Sequence, residues 1–191
     1  MAVKTFAAGE VLTASDTNTY LNNGGLVYIT EQAVTSGATL SFNNVFTSTY
    51  ENYRILFYEF QPATAGNSLR LRMRAGGTDA STNDYYYAFN GLYVDGSTAN
   101  NFSSAASSID IGLYNSANTI AINYAAVDVF GPARTVRTFM NVNSSLYNAQ
   151  FGCRNGIAEH NLTNAYDGFT VFPLAGNISN LRIKIYGYRQ A

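Results

Sequence analysis

The chain has 191 residues, with 11 Lys and Arg, 12 Asp and Glu, and a formal net charge of −1. A charge balance this even predicts no basic surface of the kind that binds nucleic acid or an anionic membrane. No stretch approaches the ~20 apolar residues of a membrane-spanning helix, and the first residues lack the apolar run of a secretory signal peptide. Cys153 is the single cysteine, which excludes a disulfide within the chain and favours folding in a reducing cytoplasm.

The composition favours a β fold around one core. Charged residues make up 12% of the chain, about half of the usual ~25%. The exposed surface must therefore be built largely from Asn, Ser and Thr. The aromatic set is 15 Tyr and 12 Phe with no Trp, and Thr, Tyr and Phe pack well on a pleated surface. The length corresponds to one domain, or to one domain with an extension.

Residues 1–25 are predicted to form an N-terminal arm with one short helix. Ser15 or Asp16 can accept a hydrogen bond from the free N–H groups of a first helical turn, and residues 23–25 (Asn-Gly-Gly) are a stop signal. A helix of about two turns is marginal by itself in water, so it must dock, either on its own domain or on another chain. The apolar residues available for docking are Phe6, Val11, Leu12, Tyr20 and Leu21.

From residue 26 onward apolar and polar residues alternate with period two, which predicts strands. The predicted strands of the first half are LVYITEQA (26–33), ATLSF (38–42), NYRILFYEF (52–60), SLRLRMRAGG (68–77) and DYYYAFNGLYVDG (84–96). The first two flank Thr35-Ser36-Gly37 and are expected to form a hairpin. The third is nearly all apolar, which is typical of a strand that is covered on both faces.

The second half continues the pattern after an interruption. Residues 97–108 (STANNFSSAASS) are polar and low in complexity, which predicts a long surface loop. The strands predicted after it are IDIGLY (109–114), TIAINYAAVDVFG (119–131), RTVRTFMNVN (134–143), YNAQFGCRNGIAEHN (147–161), GFTVFPLAG (168–176) and NLRIKIYGYRQA (180–191).

About ten short strands separated by turn signals are typical of an all-β sandwich or barrel. We therefore predict that residues 26–191 form an all-β domain, an antiparallel two-sheet sandwich of jelly-roll-like type. No helix longer than two turns is expected within it.

No catalytic motif is evident. A nucleophile pair of Cys153 and His160 would require contact between the two side chains, and no nucleophile motif surrounds the cysteine. One His and one Cys cannot form a zinc site within one chain. Loop aspartates could bind Ca²⁺, but turn formation is their commoner role; these are Asp79, Asp84, Asp95 and Asp167. We therefore expect no catalytic residue, cofactor or metal.

Arg70, Arg72 and Arg74 share one face of a predicted strand, because they alternate with apolar residues. Such a ladder could bind phosphate or sugar-acid groups through forked hydrogen bonds. The favoured interpretation is an exposed sheet face, or a subunit contact, with acidic residues opposite.

The aromatic run at residues 85–87 is a second candidate ligand or interface face. Tyr85 and Tyr87 point to one side of the predicted strand and Tyr86 to the other, so at least one of them lies in the core or in an interface. Aromatic rings beside Asn and Asp suit sugar faces. Packing is nevertheless the favoured interpretation.

Residues 6–21 (FAAGEVLTASDTNTYL) resemble the N-terminal segment of structural proteins of tailed bacteriophages, especially tail-fibre and minor tail proteins. The start of those proteins is typically AGEVLTAxDxNTYL, which is matched here from Ala8 to Leu21 without a gap. YENYRI (50–55) and IKIYGYR (183–189) are similar to the β-domain of the same group.

The resemblance implies a non-enzymatic virion protein, assembled in the host cytoplasm, whose partners are itself and other virion subunits. The first expectation is a homotrimeric tail-associated short fibre or adhesin, whose arm attaches through Phe6, Val11, Leu12, Asp16, Tyr20 and Leu21 and whose β domain contacts the host surface, including its glycans. The alternative is a capsid decoration protein, since no coiled-coil, collagen-like or β-helical shaft is present. A glycan-cleaving enzyme is a third, weaker reading. Nucleic acid and membrane insertion are not expected.

Overall fold

The computed structural model describes residues 7–11, 13–16, 25–115, 123–148 and 150–189. These residues form one short helical segment, α1 (Ala14–Asp16), and thirteen strands. The strands are β1 (Leu26–Val34), β2 (Leu40–Phe42), β3 (Asn52–Pro62), β4 (Asn67–Ala75), β5 (Thr78–Asp79), β6 (Tyr85–Tyr93), β7 (Asn101–Ala106), β8 (Ile109–Asn115), β9 (Tyr124–Phe130), β10 (Thr138–Asn148), β11 (Gln150–His160), β12 (Gly168–Pro173) and β13 (Ile178–Tyr188). In this part of the chain no helix has the length and apolar character needed to cross a membrane.

The strands form two sheets that pack face to face. The larger sheet has the order β1-β13-β3-β9-β10-β11-β6-β7, and all its neighbours are antiparallel. The smaller sheet has the order β8-β4-β12-β2, with β5 paired to the end of β4. A short parallel pairing of β10 with β8, at Leu146 and Tyr114, joins the two sheets. The predicted antiparallel two-sheet sandwich is confirmed.

The core lies between the two sheets and is built by strict alternation along the strands. In β4 the apolar residues point inward and the arginines outward, as the period-two pattern predicted. Three phenylalanines stack across the smaller sheet and its flanking loop, with ring centroids 4.8 Å apart for Phe42 and Phe169 and 5.8 Å apart for Phe46 and Phe169. The fully buried apolar side chains include Phe42, Ile55, Phe57, Phe60, Leu69, Leu71, Met73, Ile109, Ile111 and Phe169.

The predicted hairpin of residues 26–42 is wrong. β1 pairs with β13 in the larger sheet, whereas β2 pairs with β12 in the smaller sheet. The chain between them crosses from one sheet to the other. Gly37 and Ile178 exchange two backbone hydrogen bonds of 3.2 and 2.7 Å, so the connecting segment is held against the start of β13 and does not turn back on β1.

The predicted loop at residues 97–108 is also wrong, because residues 101–106 form β7. This strand is the edge of the larger sheet and pairs with β6. Its Ser and Ala side chains show little apolar alternation, and Ala106 at its end packs against the core. Backbone hydrogen bonds to β6 hold the strand in place. Such bonds do not depend on the side chains, so the sequence pattern could not predict them.

β3 is covered on one face only, which corrects the prediction for residues 52–60. Tyr53, Ile55 and Phe57 are fully buried, whereas Leu56 and Tyr58 on the other side are partly exposed. No second sheet formed by the described residues covers this outer side of β3. A long side chain lies there, with Nζ of Lys184 5.8 Å from the centre of the Tyr58 ring.

The arm is described only in part. α1 begins at Ala14, so Ser15 and Asp16 lie within the helix and not before it, and the expectation that one of them caps its start is wrong. Val11 has 78% of its surface exposed, and Asp16 is exposed. The docking residues Phe6, Leu12, Tyr20 and Leu21 lie outside the described residues. Docking of the arm therefore stays a prediction.

Candidate functional site

The outer face of the larger sheet carries several exposed aromatic side chains. Directly paired residues on neighbouring strands point to the same side. One such row runs Phe130, Phe139, Glu159 and Tyr86, across β9, β10, β11 and β6. Phe139 is 50% exposed and Phe130 is 41% exposed. The row therefore places aromatic rings on a flat, hydrogen-bonded support.

Two depressions flank Phe139, and together we call them the Phe139 groove. The first has a volume of about 220 Å³ and is lined by Tyr86, Ala88, Phe139, Ile157 and Glu159 among others. The second has a volume of about 530 Å³, and its lining includes Asn52, Phe130, Arg134, Arg137, Phe139 and Thr163. Phe139 lines both depressions, so its ring is the ridge between them.

The charges in the groove are paired. Nη1 of Arg137 donates a hydrogen bond of 2.9 Å to Oε1 of Glu159, and this pair connects the two depressions beside the Phe139 ring. Arg134 pairs with Glu51 at the far side of the second depression. These four side chains sum to zero charge, so the groove combines apolar rings with polar groups and has no net charge of its own.

The arginine ladder lies on the other sheet, on the outward face of β4. Arg74 pairs with Asp79 and donates hydrogen bonds of 2.7 Å to Asn43 and 3.2 Å to Thr170. The acidic partner that the favoured interpretation required is therefore present for Arg74.

The two other arginines of the ladder have mainly neutral partners. Arg72 donates a 2.9 Å hydrogen bond to the carbonyl oxygen of Ser107, and its guanidinium carbon lies 4.5 Å from the centre of the Phe172 ring. Arg70 donates a 3.4 Å hydrogen bond to the Ser108 hydroxyl and lies opposite one acid, Asp110, in the pairing of β4 with β8. The ladder is thus a packed sheet face, and a ligand role for it stays a prediction.

Tyr85 is in the core and Tyr87 is at its edge. The Tyr85 hydroxyl accepts a 2.8 Å hydrogen bond from the Met73 N–H and donates one of 2.8 Å to the Ala80 carbonyl. Burial is the main cause that raises the pKa of Tyr85. Tyr87 stacks on Phe89 with ring centroids 5.2 Å apart, and burial raises its pKa as well. Tyr85 is therefore not available to a surface ligand, and the outward residue of the run is Tyr86.

His160 and Cys153 are kept apart by strand geometry. Both lie on β11, and seven residues of separation place them on opposite faces of the sheet. Cys153 is exposed, whereas His160 is fully buried with a 2.9 Å hydrogen bond between its Nδ1 and the Tyr166 hydroxyl. They cannot act as a nucleophile and base.

The buried His160 predicts that the protein loses stability in acid. Burial lowers the pKa of His160, and the carboxylate of Asp84 opposes this only in part. The packed rings of Tyr85 and Tyr166 supply no charge to stabilise an imidazolium. The unfolded chain binds its proton near pH ~6.5, so the free energy of unfolding should fall below that pH by up to ~1.4 kcal/mol per pH unit. Urea unfolding at pH 7.5, 6.5 and 5.5 measures this.

The control for this prediction is His160→Gln, which keeps a polar side chain but cannot titrate. Its unfolding free energy should depend less on pH between 7.5 and 5.5 than that of the natural chain. Equal pH dependence in both proteins would contradict a role for His160.

Three of the aspartates considered for Ca²⁺ have other partners, and Asp79 is the one that pairs with Arg74. Asp95 accepts hydrogen bonds from the N–H and hydroxyl of Ser97, which lower its pKa, and Asp167 accepts one from the Gly76 N–H. Among the described residues no three or more His, Cys, Asp or Glu side chains come together as a metal site would require.

The residues of the groove were missed at the sequence level because they come from separate strands and loops that only the register brings together. One signal was available. In RTFMNVN the alternation puts Phe139 on the same side as Asn141 and Asn143, while Met140 and Val142 point to the core. A large aromatic on the polar side of a strand indicates a surface with a purpose other than packing.

Comparison with known proteins adds no relative to this picture. The chain matches no family model, no curated protein and no solved structure. The kinship to virion proteins suggested by residues 6–21, 50–55 and 183–189 therefore stays a prediction.

Proposed function

We propose that the chain is a non-enzymatic structural protein of a tailed-phage virion. In this proposal it is a trimeric, tail-associated short fibre or adhesin. Its arm (residues 1–25) attaches it to the particle, and its sandwich faces the host surface. The match of residues 8–21 to AGEVLTAxDxNTYL supports the virion assignment.

The observation that carries a binding role is the apolar surface on the outer face of the larger sheet. Five adjacent strands, from β9 to β7, present large side chains of which about half or more is exposed. Since one aromatic side chain has a surface of ~150–250 Å², the exposed parts sum to roughly 700 Å², and the polar row of Asn143, Asn155 and Asn90 divides them between the two ends of the face. Surfaces of this kind bind other molecules. The residues, with their exposed fractions, are Leu92 52%, Phe102 79%, Tyr124 57%, Phe139 50%, Phe151 54% and Ile157 65%.

A capsid decoration protein is the second candidate. An arm followed by one compact domain, with no shaft pattern in the sequence, favours it. Quantitative mass spectrometry of purified particles separates the two. A tail component should be present in a handful or tens of copies, and a decoration protein in hundreds. The absence of the chain from particles would refute both.

We predict that the protein is a homotrimer in solution. The exposed Leu92 and Phe151, which lie outside the Phe139 groove, offer apolar surface for a subunit contact, and closed symmetric assembly is the usual way to cover such surface. Sedimentation equilibrium at micromolar concentration should give three times the 20.7 kDa mass of one chain. A mass of 20.7 kDa would contradict the prediction.

A further inference from the structure

We propose that the Phe139 groove binds an uncharged oligosaccharide of two or three units, with one sugar ring stacked on Phe139. This inference rests on the proposed role in host-surface contact and assigns that contact to a place and a ligand class. It places the sugar site in a groove whose first depression is lined by Tyr86 and Tyr87, whereas the fully buried Tyr85 takes no part in it.

The stacking platform is rigid. Phe139 stands on β10, which is hydrogen-bonded on both sides by β9 and β11. Its inward neighbours Thr138 and Met140 are 0% and 1% exposed, so the strand cannot shift without opening the core. An aromatic face held in this way offers apolar contact to the C–H face of a sugar ring with little ordering cost.

The dimensions suit more than one ring. Phe130 and Tyr86 end the row that contains Phe139, three strand spacings apart, which is about 14 Å at ~4.8 Å per strand. That span is longer than one sugar ring. The larger depression, about 530 Å³, is wide open to solvent, so sugar units can extend along it beyond the ring on Phe139.

The charge pattern selects a neutral ligand. Arg137 is neutralised by Glu159 and Arg134 by Glu51. A sialic acid, uronic acid or phosphate would have to share each arginine with the carboxylate that is already paired to it, and the two negative charges would repel each other. Hydroxyl groups have no such competitor, because each can donate to a carboxylate and accept from a guanidinium without breaking the pair.

The same features disfavour a second copy of the chain as the occupant. A copy seated on the groove would cover two ion pairs, and removing paired charges from water is costly. The exposed Phe151 and Leu92, which are available for contact between copies, lie outside the groove.

The test uses the full chain on an immobilised panel of sugars. The neutral probes are di- and trisaccharides of glucose, galactose, mannose and N-acetylglucosamine, and the acidic probes carry sialic or glucuronic acid. We expect the natural chain to bind at least one neutral probe and to prefer it over its acidic counterparts. Phe139→Ala should weaken that binding at least tenfold, and Tyr86→Ala, a second variant in the first depression, should also weaken it.

Phe151→Ala is the matched control, because Phe151 is 54% exposed on the same outer face but lies outside the groove. It should change binding less than twofold, and circular dichroism should be the same for all variants. Three results would overturn the inference: no neutral probe is bound, acidic probes are preferred, or Phe139→Ala lowers the sedimentation mass and leaves sugar binding unchanged. Cleavage of the probe would contradict the non-enzymatic role proposed above.

Particle content separates this inference from the proposed function. Normal copy number with no sugar binding would refute the groove and leave the virion role standing. Sugar binding by a chain that is absent from particles would support the groove and refute the virion role.

Discussion

Replacing Phe169 by alanine should lower the free energy of unfolding by about 3–5 kcal/mol, the usual cost of deleting a large core aromatic. The Phe169 side chain is fully buried, and its ring stacks on Phe42 at 4.8 Å and on Phe46 at 5.8 Å. It also sits on β12, the strand that joins β4 to β2 in the smaller sheet. Equilibrium unfolding in urea, read by circular dichroism, measures the loss as a fall in the midpoint at constant slope.

Phe102→Ala is the control for this prediction. Phe102 is the same residue type, but 79% of its surface is exposed on the edge strand β7. Its replacement should change the unfolding free energy by no more than about 0.5 kcal/mol. Equal losses for the two variants would mean that the smaller sheet does not contribute to the core in the way its stacking indicates.

The alternation of apolar and polar residues predicted the strands because it has a simple physical cause. Leu69, Leu71 and Met73 are all fully buried, because a strand with one face on a core must place every second side chain there. The sequence therefore predicted the strands of the sandwich and the direction of the arginine ladder. The same argument placed Tyr85 and Tyr86 on opposite faces.

Alternation could not predict which of the two sheets each strand joins. β1 and β2 are separated by five residues and lie in different sheets, and only long-range pairing with β13 and β12 decides this. β7 forms through backbone hydrogen bonds to β6 and carries no apolar pattern. The groove depends on both kinds of information, since Phe139, Glu159 and Tyr86 become neighbours only through the register of three strands.

Deleting residues 1–25 should leave the sandwich folded and remove the protein from particles. Within the described part of the arm, the Ala7 N–H donates to Oε2 of Glu10, and the Glu10 N–H donates to the Ala7 carbonyl, both at 3.0 Å. The deletion also removes the 2.9 Å backbone hydrogen bond from the Arg189 N–H to the Gly25 carbonyl. The loss of that hydrogen bond should lower the free energy of unfolding by about 1 kcal/mol.

Incorporation should respond far more strongly, because docking of the arm would bury large apolar side chains that contribute ~1.5–3 kcal/mol each, less the cost of ordering the arm. Mass spectrometry of particles carrying the truncated chain should find it at background level. The double variant Leu12→Asp with Leu21→Asp should behave nearly the same. Thr17→Asp with Thr19→Asp, which adds the same charge and removes no large apolar side chain, should retain more of the incorporation. Should the truncated chain unfold or aggregate instead, the arm would belong to the domain's own core, and the attachment role proposed for it would be wrong.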